Sequence, residues 1–133
     1  MDLFSKYILR PILDSVRNFG DRDAFVMSEN AFSYKEFANR ISAIRCFIHE
    51  MNSSEPTFAL VANDDLDTYA SIIALWMEGK AYVPLHPKQP IDRNLSIIRQ
   101  VGITNVIDSN PQSSYKGIVN NIVYPSLLNY KNL

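Results

Sequence analysis

Between Thr57 and Ile107 three short apolar runs, TFALV, AYVPL and NVI, are separated by stretches whose apolar residues recur at helical spacing. No other feature constrains the chain as strongly. Apolar runs of strand length suit strands covered on both faces. Strand, helix, strand, helix, strand in that order is the pattern of parallel βαβ units with right-handed crossovers. The fold class this predicts is α/β, a three-layer sandwich around a mainly parallel sheet.

The helices between the runs carry their own punctuation. Asn63-Asp64-Asp65 offers N-cap oxygens and first-turn carboxylates to a helix in which Leu66, Tyr69, Ala70, Ile73, Trp76 and Met77 share a face, and Gly79 supplies a left-handed stop. After the strand Ala81 to Leu85, a second helix begins near Pro90 or Ile91, carries Leu95 and Ile98, and stops at Gly102. Asn105 to Ile107 is the next strand, Ser109 to Gly117 a loop, and Asn121 to Tyr124 a further strand.

Upstream, Leu3 to Phe19 reads as one or two short helical turns around Pro11, ended by Gly20. Ala24 to Met27 and Ala31 to Phe32 flank Ser28-Glu29-Asn30, a polar connection suited to a hairpin. Ser33-Tyr34-Lys35-Glu36 is a capping box, with Phe32 and Phe37 in the staple positions. Phe37, Ile41, Ile44, Ile48 and Met51 then form one apolar stripe, which predicts a helix to about Met51. Asn52 to Pro56 is a polar linker.

A chain of 133 residues fits one domain and can bury a normal core. Its formal net charge is −1, and its basic residues are scattered among Asp and Glu rather than gathered in a stripe, so nothing predicts nucleic-acid binding. No window approaches the apolar length of a membrane span, and the N-terminus does not read as a signal peptide. The single Cys46 allows neither an internal disulfide nor a Cys-based zinc site, and a reducing, cytoplasmic setting is the economical reading. Cys46 lies among Ile41, Ile44, Phe47 and Ile48, where it reads as a small buried filler.

In open parallel sheets ligands gather at the carboxyl ends of the strands. Three segments belong there: Ala62 to Asp65, Pro84 to Pro90, and Asp108 to Asn110. Pro84 has no N–H to donate and should mark the end of ladder pairing, while Pro87 and Pro90 fix φ and hold a stiff strand-to-helix elbow. His86 within that elbow reads as structural or solvated, and His49 is not an obvious partner for it. Asp64 and Asp65 read as helix caps rather than metal ligands, and Lys80 and Lys88 as solvated.

The stretch EGKAYVPLHPKQPIDRNLSII resembles the second conserved motif of adenylate-forming enzymes, above all amino acid adenylation domains, whose pattern runs approximately KAGxAYVPLDPxxPxxR. Gly79, Ala81, Tyr82, Val83, Pro84, Leu85, Pro87, Pro90 and Arg93 match it in place, and His86 stands where the pattern has Asp. FSYKEF, Phe32 to Phe37, is similar to the family's first motif, LTYxEL, with DRDAFV as its lead-in, and VGITNVIDS resembles the stretch that holds the next strand. The AYVPL form leans toward amino acid activation, as in peptide synthetases and D-alanine carrier-protein ligases.

The resemblance implies the first subdomain of an AMP-forming ligase. Such a parent protein uses ATP and magnesium to convert a carboxylate to an acyl-adenylate and passes the acyl group to a carrier-protein phosphopantetheine. The parts that would do this chemistry come later in the family's sequence than the matched motifs. Nothing here resembles TSGTTGxPKG, and the four glycines, Gly20, Gly79, Gly102 and Gly117, are too well separated to build a phosphate cradle. The expectation is therefore one α/β domain over 1–133, a scaffold fragment that holds no catalytic, cofactor-binding or metal-binding residue and is inactive alone, with self-association possible through an exposed sheet edge. Two rival readings are a non-enzymatic binding or assembly module of the same fold, and a stand-alone doubly wound domain with a ligand pocket at Asn63, Asp64, His86 and Asp108.

Overall fold

The structure, a computed structural model, describes residues 5–27 and 29–128. Leu3 and Ser28, part of the sequence expectations, lie outside the described residues. The elements are a π-helical turn Ser5–Leu9, α1 Arg10–Phe19, β1 Asp23–Met27, β2 Asn30–Ser33, α2 Tyr34–Met51, β3 Thr57–Val61, α3 Leu66–Met77, β4 Ala81–Leu85, α4 Ile91–Val101, β5 Asn105–Ile107 and β6 Asn121–Val123, with a short 3-10 turn at Pro125–Leu127.

The main sheet has the order β4-β3-β5-β6 and is parallel throughout. Alternation along β3 builds its two faces. Phe58 and Leu60 join Ile44, Ile48, Ile73 and Leu75 beneath α2 and α3, whereas Ala59 and Val61 join Leu95 and Ile98 of α4. Two helices on one face and one on the other make the expected three-layer α/β sandwich. Phe58, Ala59, Leu75, Val106 and Ile107 are fully shielded from solvent, so the core is centred on β3 and β5.

The helix boundaries follow their caps. Ser33 Oγ accepts from the Glu36 N–H at 3.1 Å, and α2 ends at Met51 with Asn52 in the left-handed region. The return bond of a full capping box, from the Glu36 carboxylate to the Ser33 N–H, is not formed among the described residues, so Ser33 is a simple N-cap. Gly79 and Gly102, at φ +71 and +77, close α3 and α4 in the left-handed region that glycine enters without steric cost.

Several expectations need correction. Around Pro11 the chain is helical over a longer stretch than one or two short turns, a π-helical turn Ser5–Leu9 running directly into α1, and Pro11 stands in the first turn of α1. Gly20 does not stop it by a left-handed turn: its φ is −53, and a Cβ there would meet the Val16 carbonyl oxygen at 3.0 Å. Close backbone approach is what glycine allows at that position. In the hairpin, Asn30 pairs with Met27 and so belongs to β2 rather than to the connection.

Pro84 does not end the ladder either, because Leu60 pairs with Pro84 and Val61 with Leu85. The Ala81 N–H donates to the Pro56 carbonyl and the Leu85 carbonyl accepts from Ala62, each at 2.8 Å. Alternate residues of a strand direct their backbone groups to opposite sides, so Ala81, Val83 and Leu85 address β3, and Tyr82 and Pro84 address the outer edge. The proline costs the sheet no bond and blunts an edge strand.

Candidate functional site

Carboxyl ends of β3 and β5 lie side by side, and their exits are joined by a dense polar network. Asp65 caps α3, its Oδ1 accepting from the Thr68 N–H at 2.8 Å and the Thr68 hydroxyl at 2.7 Å. Its Oδ2 accepts from Ser109 Oγ at 2.6 Å. Both hydroxyl protons therefore go to Asp65, and the Ser109 oxygen must accept. Asn63 Nδ2 supplies that bond at 2.9 Å and a second one to Asp108 Oδ1 at 3.0 Å. Because an ionised carboxylate only accepts, the Asn63 amide is fixed with its nitrogen toward Asp108 and its oxygen free of these bonds.

Asp108 is only 2% exposed, and its Oδ1 also receives the Asn110 N–H at 2.9 Å. The Asp108 N–H donates to Val123 on β6, and Ser126 Oγ donates to the Ser109 carbonyl, so the network ties the β3 exit, the β5 exit and the chain after β6 together. Beside it lies a cleft of about 140 Å³ lined by Val61, Asn63, Pro87, Ile91, Asp108 and Tyr115, among others.

The elbow after β4 is anchored from α4. Fully buried Asn94 donates from Nδ2 to the His86 carbonyl at 3.1 Å and to the Tyr115 hydroxyl at 2.9 Å. Burial pushes the Tyr115 hydroxyl above its ordinary value against the Asn94 hydrogen bond, and the charge of Asp108 acts in the same direction as burial. The His86 side chain is exposed, its Nδ1 accepting from the Lys88 N–H at 3.1 Å, which makes a local turn at the position where the family pattern carries Asp.

Of the pocket imagined at Asn63, Asp64, His86 and Asp108, the structure brings together Asn63 and Asp108. Asp64 instead accepts from the Tyr69 hydroxyl at 2.5 Å, a bond that, with burial and the charges of Asp64 and Asp65, pushes Tyr69 above its ordinary value. His49 pairs with Glu78 at 3.0 Å. Lys80 is not simply solvated: its ammonium donates to the Ser53 and Glu55 carbonyls at 2.7 and 2.9 Å and fastens the linker before β3, whereas Lys88 is exposed. Cys46 is half-buried rather than a core filler, with Sγ 3.5 Å from Glu50 Oε1.

Sequence reasoning passed over Thr68, Asn94, Tyr115 and Arg40, and reached Ser109 only as part of the segment Asp108 to Asn110. Arg40, buried on α2, donates from Nε to Asp67 Oδ1 and from its terminal nitrogen to the Pro125 carbonyl, each at 2.5 Å. Its position between Phe37 and Ile44 on the apolar stripe was the available signal. No group of three or more potential metal ligands occurs among the described residues, and no described helix is long and apolar enough to cross a membrane.

No family model matches the chain. It is 31% identical over 113 residues, 81% of its length, to N-(5-amino-5-carboxypentanoyl)-L-cysteinyl-D-valine synthase of Penicillium rubens. It is 24% identical over 121 residues, 86% of its length, to surfactin synthase subunit 1 of Bacillus subtilis. The chain spans about 3% of the length of each of these relatives. Among solved structures, the Klebsiella oxytoca NpsA N-terminal subdomain superposes with a TM-score of 0.73 at 18% identity, over 95% of this chain and 35% of that one. A four-domain nonribosomal peptide synthetase bound to AMP and glycine superposes with a TM-score of 0.78 at 22% identity, over 98% of this chain and 10% of that one. In sequence the chain is thus similar to stretches of peptide synthetases, and its fold is that of the N-terminal subdomain of their adenylation domains.

Proposed function

We propose that this chain is a scaffold portion of an ATP-dependent amino acid adenylating ligase, forming one α/β unit over 1–133, and that it holds none of the groups that act on the nucleotide. The whole protein would form an acyl-adenylate with ATP and magnesium and load a carrier protein, in a cytoplasmic setting. Relatives of the same fold support both parts of that reading, one solved bound to AMP and glycine and another as an artificially fused adenylation–PCP di-domain.

The observation that carries the scaffold reading is the polarity of the strand ends. A triphosphate needs convergent N–H donors and cations. Here the exits of β3 and β5 present the carboxylates of Asp64, Asp65 and Asp108, and the donors beside them, Asn63, Thr68 and Ser109, already point at those carboxylates. Each positive-φ glycine stands alone, at +71, +77 and +82, in a helix stop or turn, so no run of backbone amides forms a cradle. The residues present do not fit ATP, and like charge would repel its phosphates. What the matched motifs do build is a rigid elbow: Asn94 holds the His86 carbonyl while Pro87 and Pro90 restrict the backbone.

Calorimetry with magnesium-ATP and amino-acid-dependent pyrophosphate exchange test this on the chain as it stands. No heat of binding and no exchange above a boiled control are expected across an amino acid panel. Saturable exchange lost on changing Asp64 or His86 would overturn the scaffold reading. Ile118 and Leu127 are exposed, and β6 ends the sheet order, so self-association is also expected. A single monomeric species in sedimentation at high concentration would instead favour a self-contained binding module.

A further inference from the structure

We propose that the cleft between the exits of β3 and β5 is a binding site for a primary alkylammonium, held by Asp108 and Asn63. Asp108 is a buried carboxylate with one oxygen satisfied by Asn63 and the Asn110 N–H. Its other oxygen has no partner, and no cation pairs with it among the described residues. Burying a carboxylate without a counter-charge is costly, and an ionised carboxylate has room for about four hydrogen bonds, so the vacant oxygen is a strong acceptor.

The neighbouring groups sharpen the chemistry. Both N–H groups of Asn63 are spent on Asp108 and Ser109, which leaves its oxygen as a second acceptor at the same wall. Buried Asn94, which does not itself line the cleft, donates to the hydroxyl of Tyr115, which does. The site thus has surplus acceptors and a negative charge, the complement of an ammonium with three N–H donors. Val61, Pro87 and Ile91 add apolar surface suited to a short alkyl stem, and Gln89, Asn110 and Ser114 complete the lining. A volume of about 140 Å³ holds roughly five waters at about 30 Å³ each, enough for an ammonium head and one or two carbons.

The ammonium could be a free amine or a lysine side chain of another polypeptide, and the test distinguishes them. The isotope-labelled chain is titrated at constant ionic strength with methylammonium, with N-acetyl-lysine methylamide, and with tetramethylammonium and sodium as controls, following the Asn63 side-chain amide and the Asn110 backbone amide by NMR. Saturable shifts with methylammonium and none with tetramethylammonium, which has no N–H, are expected. Tighter binding of the lysine derivative would identify a polypeptide source; equal or weaker binding, a free amine. Asp108→Asn should weaken binding about tenfold or more through loss of a charge-assisted bond. If that variant does not fold, Ile91→Phe fills the cleft without touching the polar network and should abolish the shifts. Unsaturable drift shared by all four cations, or undiminished binding in folded Asp108→Asn or Ile91→Phe, would overturn the proposal and leave Asp108 a purely structural carboxylate.

Discussion

The two halves of the apolar interior are built to different standards. Around β3 and β5, residues such as Phe58, Leu75, Val106 and Ile107 are fully shielded. The N-terminal layer, α1 and the β1–β2 hairpin, contributes partly buried side chains: α1 has no buried residue, and Leu13 and Phe19 are more than two-fifths exposed. Open clefts flank the helix, about 440 Å³ on the side of Ile12, Phe25, Tyr69 and Trp76, and about 370 Å³ on the side of Leu13, Arg17 and Met77. Phe25 is its best anchor, edge-on to Phe37 at 4.8 Å and stacked on Tyr69 at 5.6 Å. An amphipathic pattern is sufficient to form a helix and lay it on a core, but close packing needs matching surface on both sides of it. The centre of the βαβ region has that surface, since β3 and β5 are covered from two faces.

The comparison is tested most severely at its centre. Phe58→Ala should cost about 4 kcal/mol, because the vacated space is enclosed by α2, α3 and the sheet and cannot collapse. A denaturant midpoint that moves no more than that of an α1 variant would erase the distinction between the two regions.

Next in size is Arg40→Ala, which leaves Asp67 poorly solvated and frees the Pro125 carbonyl; about 3 kcal/mol is expected. Arg40→Met should recover part of that loss by packing, whereas equal effects of the two would mean that the ion pair contributes nothing particular.

Two smaller effects probe the N-terminal boundary. Ser33→Ala removes the α2 cap and should cost about 1 kcal/mol in equilibrium unfolding. Ile12→Ala, beside an existing cleft, should cost about 1 kcal/mol or less, and its signature is faster amide exchange in α1 with the β3 and β5 amides unchanged. Uniform acceleration throughout the chain would show α1 to be part of one cooperative unit.

The smallest effect concerns pH. Burial alone would raise Glu78, but hydrogen bonds and charges from Arg45 and His49 outweigh it and hold the carboxyl below its ordinary 4.5. A depressed carboxylate contributes stability that is complete above its unfolded value and is lost as pH falls through the folded one. Wild type should therefore lose more stability than Glu78→Gln on acidification below about pH 5. Parallel pH profiles for the two would remove the α2–α3 pairing from the account.

Much of this architecture was readable because it rests on local rules. Apolar period, cap residues and left-handed glycines placed the boundaries of α2, α3, α4 and β3 to β5, each depending on a few neighbouring side chains. The errors fall where a distant group intervened. Gly20 is explained by the Val16 carbonyl above it, Pro84 by the absence of a strand on its outer side, and Lys80 by two carbonyls of a linker some twenty-five residues away. The strand-end network was half visible. Asp65 as a cap is a local matter, but its second oxygen meets Ser109 only because β3 and β5 become neighbours, and the same adjacency turns Asn63 toward Asp108.

By itself, then, the sequence determined the order of elements, the alternation of strand faces and the motif that marks the family, since these follow from residue type and spacing over one or two turns of chain. Tertiary structure decided which polar groups satisfy one another. That outcome depends on strand order and on which edges remain unpaired. Hydrogen bonds act over about 3 Å, and only the packed sheet brings residues more than forty positions apart within that reach.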